Sequence, residues 1–290
     1  MDIRWDDLRL FLSVARLGGL SPATVVTGLS AATLSRRITS LEREIGEPLF
    51  RRSLSGYRLT GTGTDLLKRA EAVEAAMQSL SRWREREIGE PVVRIAADVW
   101  TSEFLSRHIG ELWNVGAGYR VDLVTAHDTV DISRRAAEIG IHDRRPSDAN
   151  LVARRISSVA HALYCLPKMI SGVAAALFVG ITGEGSNSPS ARWLMAHHGD
   201  RIAVRGSEPA SMRELVAAGA GLSMFPCFVG DSDPRLARVA SPIPELVTEQ
   251  WLVVHQDERH TPAVRIVRDR VARLMKRHAP LFRGERPAGG

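Results

Sequence analysis

The clearest pattern in the chain lies between Ser30 and Gly46, where apolar side chains recur every three or four residues: Leu34, Ile38, Leu41 and Ile45. This spacing predicts a helix with one buried face. A shorter segment before it begins at Ser21-Pro22, a favourable helix start with Ser21 as the cap, and ends at Gly28, a favourable helix stop. Since Ser30 is suited to cap the second helix, the pattern predicts a helix-turn-helix.

The face opposite the apolar stripe carries small, polar and cationic side chains: Ala32, Ser35, Arg36, Thr39 and Arg43. Such a face fits the major groove of DNA, where polar and cationic side chains meet base edges and phosphates. The residues of this helix that are predicted to read or position DNA are Ser30, Ala32, Thr33, Ser35, Arg36, Arg37 and Thr39.

The flanking segments extend this predicted DNA-binding domain. An apolar stripe from Trp5 to Ala15 predicts a helix that packs against the helix-turn-helix. Downstream, turn residues at 53–56 separate two short segments that predict a hairpin wing. The wing carries three arginines that are expected to bind phosphates or enter the minor groove: Arg51, Arg52 and Arg58.

A heptad pattern follows, in which apolar or small residues alternate spacings of four and three: Leu59, Gly63, Leu66, Ala70, Val73, Met77 and Leu80. The pattern is typical of a coiled-coil seam, but an amphipathic helix lying on its own domain would have the same spacing. The position directly after a DNA-binding module favours dimerisation through residues 60–86, because dimers place two recognition helices on one duplex.

The remaining chain alternates predicted strands with helices, which indicates mostly parallel sheets covered on both faces. A first unit has strands at 92–97, 119–125 and 138–142 and a helix at 101–113; a second has strands at 201–204, 221–225 and 251–255 and a helix at 209–218. A final helix at 262–278 is expected to pack back on the first unit.

Ligands of open α/β sheets bind beyond the carboxyl ends of the strands. Residues near such ends are predicted to bind a small organic acid or a polar aromatic molecule: Trp100, Thr101, Ser102, Thr125, His127, Ser207, Glu208 and Phe225. Three of them, Trp100, Thr101 and Ser102, begin a helix, and the exposed N–H groups of a helix start favour an anion. Ordinary caps and turns would supply the same residue types, so that interpretation stays open.

Composition narrows the functional classes. The chain has 290 residues, a net charge of +6 and two cysteines, which favours an anionic partner and a reducing compartment. The start resembles no signal peptide and no apolar run is long enough for a membrane span, so a cytoplasmic location is expected. The sequence contains no catalytic constellation, dinucleotide fingerprint or metal-ligand spacing, so neither an enzyme nor a bound cofactor or metal is predicted. Cys165 and Cys227 are interpreted as buried structural thiols, and His197-His198 as surface residues.

The start of the chain resembles the winged helix-turn-helix of LysR-type transcriptional regulators. The resemblance rests on residues 5–8 with 11–12, 35–38, 41–42, 44–46, 49–52 and 57–60 with Gly63. It continues more weakly at 218–228, 251–255, 259–262 and 264–265. It implies an all-α winged helix-turn-helix, a long linker helix and a periplasmic-binding-protein-like α/β domain with a small effector between two subdomains. It also implies homodimers that pair into homotetramers on promoter DNA, with RNA polymerase as a further partner.

Two departures from the family pattern affect these expectations. The family's Ser-Gln-Pro at the start of the recognition helix is replaced here by Ser30-Ala31-Ala32. Because alanine has no amide for an adenine edge, specificity is expected to depend on Ser35, Arg36, Thr39 and DNA shape. The segment 166–180 is shorter and more apolar than its family equivalent, which affects one wall of the expected pocket.

The sequence therefore predicts a DNA-binding domain at 1–59, a dimerisation helix and hinge at 60–90, and an effector domain at 91–290. The effector domain is divided into one subdomain at 91–163 and 256–280 and another at 164–255. The predicted function is effector-controlled transcription regulation. The alternatives are a sensor or interaction protein with a weakened DNA-binding arm, which the two alanines favour, and an enzyme with an added DNA-binding head.

Overall fold

The computed structural model describes residues 3–53, 56–125 and 137–285, with the backbone alone at 52–53, 56, 78–79, 81–88 and 184. The chain divides into two compact units, at 1–87 and 88–290. Among the described residues, none of the helices combines the length and the apolar character that a membrane crossing needs.

The first unit contains a three-helix core with a hairpin and a long helix. Its elements are α1 (Trp5–Leu17), α2 (Leu20–Thr27), α3 (Ala31–Ile45), β1 (Phe50–Ser53), β2 (Gly56–Leu59) and α4 (Gly61–Ile88). The apolar stripes of α1 and α3 meet in one core, where Phe11, Leu34 and Leu41 are fully buried. The predicted helix-turn-helix and wing are confirmed.

The caps of the helix-turn-helix agree with the sequence except at one position. Gly28 ends α2 with φ of 70°, and the Ser30 hydroxyl accepts a hydrogen bond from the Thr33 N–H at 3.2 Å. The predicted cap at Ser21 is wrong, because α2 already begins at Leu20 with Gly19 as its cap. Leu20 packs against the core of the unit, and the helix begins two residues earlier than predicted.

The heptad positions behave differently in the two halves of their range. Leu59 ends strand β2 and is not on the helix at all. Gly63 and Ala70 are buried within the first unit, and Leu66 packs against its core. Val73, Met77 and Leu80 are instead 40%, 39% and 56% exposed. The first half of the pattern therefore reports packing on the helix's own domain, and only the second half presents an apolar face.

Gly63 is the tightest point of this packing. A Cβ added there would lie 2.1 Å from the carbonyl oxygen of Leu49, so α4 and the loop before the wing would have to separate. Gly63→Ala is expected to destabilise the first unit by at least the ~1–3 kcal/mol of an overpacked core. Gly61→Ala is the matched control, because a Cβ at that position of the same helix meets nothing within 4 Å. Urea denaturation of both variants tests this, and equal midpoints would contradict it.

The second unit contains a five-stranded mixed sheet with the order β4-β3-β5-β12-β6. Its strands are β3 (Val92–Ala97), β4 (Arg120–Thr125), β5 (Ile139–His142), β6 (Leu151–Val159) and β12 (Thr248–His255). Strand β3 runs parallel to β4 and β5, whereas β12 runs antiparallel to β5 and β6. The sheet shares a core with α5 (Val99–Arg107), α6 (Ile109–Leu112), α10 (Pro262–Arg277) and α11 (Ala279–Phe282).

The other part of this unit contains two smaller sheets, with the orders β10-β7-β11 and β8-β9. The strands are β7 (His161–Cys165), β8 (Phe178–Ile181), β9 (Ile202–Gly206), β10 (Ser223–Pro226) and β11 (Ala237–Arg238), and the helices are α7 (Pro189–His198), α8 (Pro209–Ala217) and α9 (Cys227–Gly230). The apolar segment 166–180 forms a 3₁₀ turn at Pro167–Ala175 and then strand β8.

Three features of the second unit differ from the sequence-based expectations. Strand β12 belongs to the five-stranded sheet, so the subdomains are 92–159 with 248–282, and 161–246. The five-stranded sheet is mixed rather than mostly parallel, because β12 pairs in antiparallel with the unpredicted β6 and with β5. The helix expected at 101–113 breaks at His108, whose φ of −109° separates α5 from α6. Strand order depends on contacts between distant segments, which local periodicity does not report.

Candidate DNA-binding surface and effector cavity

Helix α3 presents the outward face that its sequence predicts. Ser30, Ala32 and Arg36 are exposed, while Thr33, Ser35 and Thr39 are half-buried beside them. The apolar residues of the same helix anchor it in the core, so the polar face is held in a fixed orientation. This is the geometry of a helix that enters a major groove.

Arg37, one of the residues predicted to contact DNA, forms an ion pair within the protein. Its Nε lies 2.9 Å from Oδ1 of Asp7, a carboxylate that is 7% exposed on α1. The contact is a close charge pair rather than a well-aligned hydrogen bond. One residue along a helix turns the side chain by about 100°, which directs Arg37 towards α1 while Arg36 faces outward. Arg37 therefore positions α1 against α3.

The wing places two of its arginines side by side. Arg51 and Arg58 are direct partners across the β1–β2 hairpin, and both are exposed. Like charges opposite one another destabilise a hairpin, and an anion such as a phosphate bound between them would relieve that repulsion. Arg52 lies in β1, but its side chain is outside the described part of the structure.

Glu42 is a positioning residue that the sequence did not single out. Its carboxylate accepts hydrogen bonds from the N–H groups of Leu49 and Phe50, at 2.8 and 3.2 Å. This contact ties the start of the wing to the recognition helix. The only sequence signal was a carboxylate near the end of that helix, which most often is simply solvated.

The second unit contains a cavity of about 720 Å³ between its two subdomains. Its walls come from the ends of β3, β5 and β12, from the start of α5, and from α7 and α8. Side chains central to its chemistry are Asp98, Trp100, Thr101, His161, Met212 and Gln250. A volume of this size accommodates a small organic molecule.

The cavity includes two of the predicted effector residues, Trp100 and Thr101. Among the residues that the structure describes, five others from the predicted set do not line it: Ser102, Thr125, Ser207, Glu208 and Phe225. Ser102 is buried, and its hydroxyl donates a hydrogen bond to the carbonyl oxygen of Ala97 at 3.2 Å. Phe225 is fully buried and supports the Trp100 ring edge-on at 5.8 Å. His127 lies outside the described residues.

The expected anion site at the start of α5 is already filled by the protein. Oδ1 of Asp98 accepts hydrogen bonds from the N–H groups of Trp100 and Thr101, at 2.9 and 3.1 Å. The Thr101 hydroxyl donates to Oδ2 of the same carboxylate at 2.5 Å. The helix end therefore has its own anion, and the expectation that it favours an acidic ligand was wrong.

The remaining chemistry-bearing residues have structural contacts of their own. Cys165 and Cys227 are both fully buried, and burial raises the pKa of each thiol. His197 and His198 stack on the rings of Trp193 and Phe178. The sequence predicts no metal site, yet tertiary folding brings His108, Glu111 and His278 together, with one potential ligand atom of each within 4.8 Å of the others. Glu111 pairs there with the guanidinium of Arg277.

Two family models match the chain over most of its length. Residues 5–64 match the model described as "Bacterial regulatory helix-turn-helix protein, lysR family". Residues 89–276 match the model described as "LysR substrate binding domain". The chain belongs to the LysR family. The two matched ranges contain the outward face of α3 and the cavity between the subdomains, respectively.

Curated relatives within the LysR family resemble part of the chain. It is 27% identical over 161 residues to the Mau operon transcriptional activator of Paracoccus denitrificans. The aligned residues cover 54% of this chain and 56% of that protein. It is 28% identical over 179 residues to the HTH-type transcriptional regulator AbaB of Streptomyces antibioticus, which covers 58% of each. The matches thus span a little over half the length of these relatives.

Solved structures of LysR regulators share the fold. The LysR family regulator CbnR has a TM-score of 0.58 at 19% identity, with 94% of this chain and 100% of that chain covered. The structure of full-length CbnR complexed with its target DNA has a TM-score of 0.57 at 18% identity, and the match covers 94% of this chain and 100% of that chain. A full-length OxyR variant from Pseudomonas aeruginosa has a TM-score of 0.55 at 16% identity, and the match covers the whole of both chains. At these identities the likeness concerns the fold alone.

Proposed function

We propose that this LysR-family chain is a sequence-specific DNA-binding transcriptional regulator whose operator binding responds to a small molecule in the 720 Å³ cavity. The observation that carries the proposal is the outward face of α3, exposed at Ser30, Ala32 and Arg36, with the opposed arginines 51 and 58 on the neighbouring wing. The complex of full-length CbnR with its target DNA supports the same assignment, because CbnR has the same fold.

Some of these residues would contact the DNA, and others would hold the DNA-contacting elements in position. Arg36, Ser35 and Thr39 would meet base edges, and Arg51, Arg52 and Arg58 would hold the flanking phosphates. Arg37 and Glu42 act through other residues, because each is bound to the protein itself. Residues 1–59 are thereby assigned to DNA binding and 91–290 to effector binding, and a partner in DNA implies a cytoplasmic location.

Residues 60–90 are assigned to dimerisation and a hinge. The exposed apolar face of Val73, Met77 and Leu80 supports this role, because apolar side chains at heptad spacing pair with a second helix. Dimers, and tetramers formed from them, would place several recognition helices on one promoter. An effector that binds two conformations of the second unit with different affinities would favour one of them. This difference alone would shift the population of DNA-bound assemblies.

Selection from fragmented genomic DNA of the source organism tests the proposal. The purified full chain is mixed with the fragments at moderate salt, and retained fragments are sequenced. Enrichment of a few promoter fragments is expected, including the region beside the chain's own gene. Uniform recovery of all fragments would contradict the proposal and favour a sensor whose DNA-binding arm is weakened at Ala31-Ala32.

A further inference from the structure

The buried wall of the cavity ends in a hydrogen-bond acceptor that has no partner. Gln250 is 4% exposed on strand β12 and lines the cavity. Its amide nitrogen donates to the Thr101 hydroxyl oxygen at 3.3 Å. Within the described part of the chain, its Oε1 is buried without any hydrogen bond. A buried acceptor left in this state is costly unless a ligand or water supplies the donor.

The orientation of the Gln250 amide follows from its neighbours. The Thr101 hydroxyl has one hydrogen, which it donates to the Asp98 carboxylate at 2.5 Å. Its oxygen can then only accept from Gln250, so the nitrogen of the amide must face Thr101. Oε1 is therefore the unpartnered end of the amide, and since it is buried behind the cavity surface, a ligand donor would meet it after a small rotation of the side chain.

His161 presents a second acceptor to the same cavity. Its Nδ1 lies 2.9 Å from the carbonyl oxygen of Leu246, and since a carbonyl only accepts, Nδ1 carries the hydrogen. Burial lowers the pKa of His161 and keeps the ring neutral near pH 7. The neutral tautomer leaves the lone pair on Nε2 as an acceptor.

The charged residues around the cavity include both signs and are exposed. Two carboxylates line the cavity, Asp98, which caps α5, and Asp143, and both are exposed. Three arginines line the cavity as well, Arg144, Arg192 and Arg205, but all three are exposed. Water and salt screen exposed charges of either sign strongly, so the two acceptors in the wall, and not the charged residues, decide which ligand group this wall prefers.

Building on the regulator role proposed above, we propose that the effector is a neutral or cationic molecule with an apolar body that donates hydrogen bonds through hydroxyl, amine or amide N–H groups. Gln250 Oε1 and His161 Nε2 accept these bonds, while Trp100 and Met212 cover the apolar body. A ligand carboxylate cannot donate a hydrogen bond to either acceptor, and it binds more weakly.

Matched ligand triplets test this inference on the full-length protein. Each triplet joins one arylalkyl body to a hydroxymethyl, an aminomethyl or a carboxylate group, as in 3-phenylpropanol, 3-phenylpropylamine and 3-phenylpropanoate. Calorimetric titration is expected to give at least tenfold tighter binding for the alcohol or the amine than for the carboxylate. Tightest binding by the carboxylates, or no binding by any alcohol or amine across a panel of bodies, would overturn the proposal.

Two variants and a control locate the effect. Gln250→Met removes the unpaired acceptor with little change in shape, and His161→Asn keeps a donor near the Nδ1 position while removing Nε2. Each is expected to weaken the preferred alcohol or amine at least tenfold and the carboxylate less. Gln256→Met, at an exposed glutamine outside the cavity lining, is expected to match the wild type. Equal affinities in all three variants would exclude Gln250 and His161 as the acceptors.

These titrations are independent of DNA binding. If genomic selection succeeds but carboxylates bind best, the inference is wrong and the regulator role stands. If no DNA is selected but alcohols and amines bind through Gln250, the proposed function fails and the ligand class is correct.

Discussion

Arg36→Ala is expected to weaken binding to the selected operator by ~1–3 kcal/mol, roughly five- to 150-fold, while binding to random DNA changes little. Arg36 is exposed at the middle of α3, where a guanidinium can reach a base edge. Fluorescence anisotropy with the operator and a scrambled duplex at one salt concentration measures both affinities. Equal losses on the two duplexes would show that Arg36 contacts phosphate and not bases.

Two other arginines make this test specific. Arg51→Ala is expected to weaken operator and random DNA alike and to reduce the slope of log K against log salt by about one, because it removes a phosphate contact. Arg37→Ala leaves the nearly buried Asp7 carboxylate without its cation. Its expected effect is a lower free energy of unfolding of the first unit. Discrimination between duplexes should survive in the fraction that remains folded.

The double variant Met77→Glu with Leu80→Glu is expected to abolish the proposed dimer and leave a monomer. Both side chains belong to the exposed apolar face of α4, and two carboxylates per chain would repel their copies across a paired helix. A paired operator site gains affinity from the linkage of two modules, so its loss should lower binding by about 10²- to 10⁴-fold. Sedimentation velocity and operator titration measure the two effects.

Lys68→Glu is the control for charge in this experiment. It changes the net charge by the same two units as the double variant. At about 100° per residue, however, Lys68 lies on the side of α4 away from Val73, Met77 and Leu80, and it is exposed. The control is expected to stay dimeric. A dimer that survives the double variant would remove α4 from the proposed interface.

The candidate site was predictable where it depends on neighbours in sequence. The cap at Ser30, the buried stripe from Leu34 to Ile45 and the wing arginines follow from spacing and turn chemistry, and the structure has each of them. The ion pair of Arg37 was not predicted, because the sequence shows a cation on a helix but not the Asp7 carboxylate on another helix. The cavity was predicted less well, since of its key groups only Trp100 and Thr101 were in the predicted set, and Asp98 was not, although it directly follows the strand that precedes them.

The sequence by itself determined the elements of this protein: the caps, periods and turns that specify a helix-turn-helix, a wing, a long helix and an alternation of strands and helices. These depend on interactions within about one or two helical turns. The tertiary structure alone decided that β12 joins the first sheet, that half of the heptad pattern packs on its own domain, and that Asp98 fills the start of α5. It also brought Gln250 and His161 to one cavity. Those outcomes depend on which distant surfaces bury each other, and no local pattern in the chain specifies that choice.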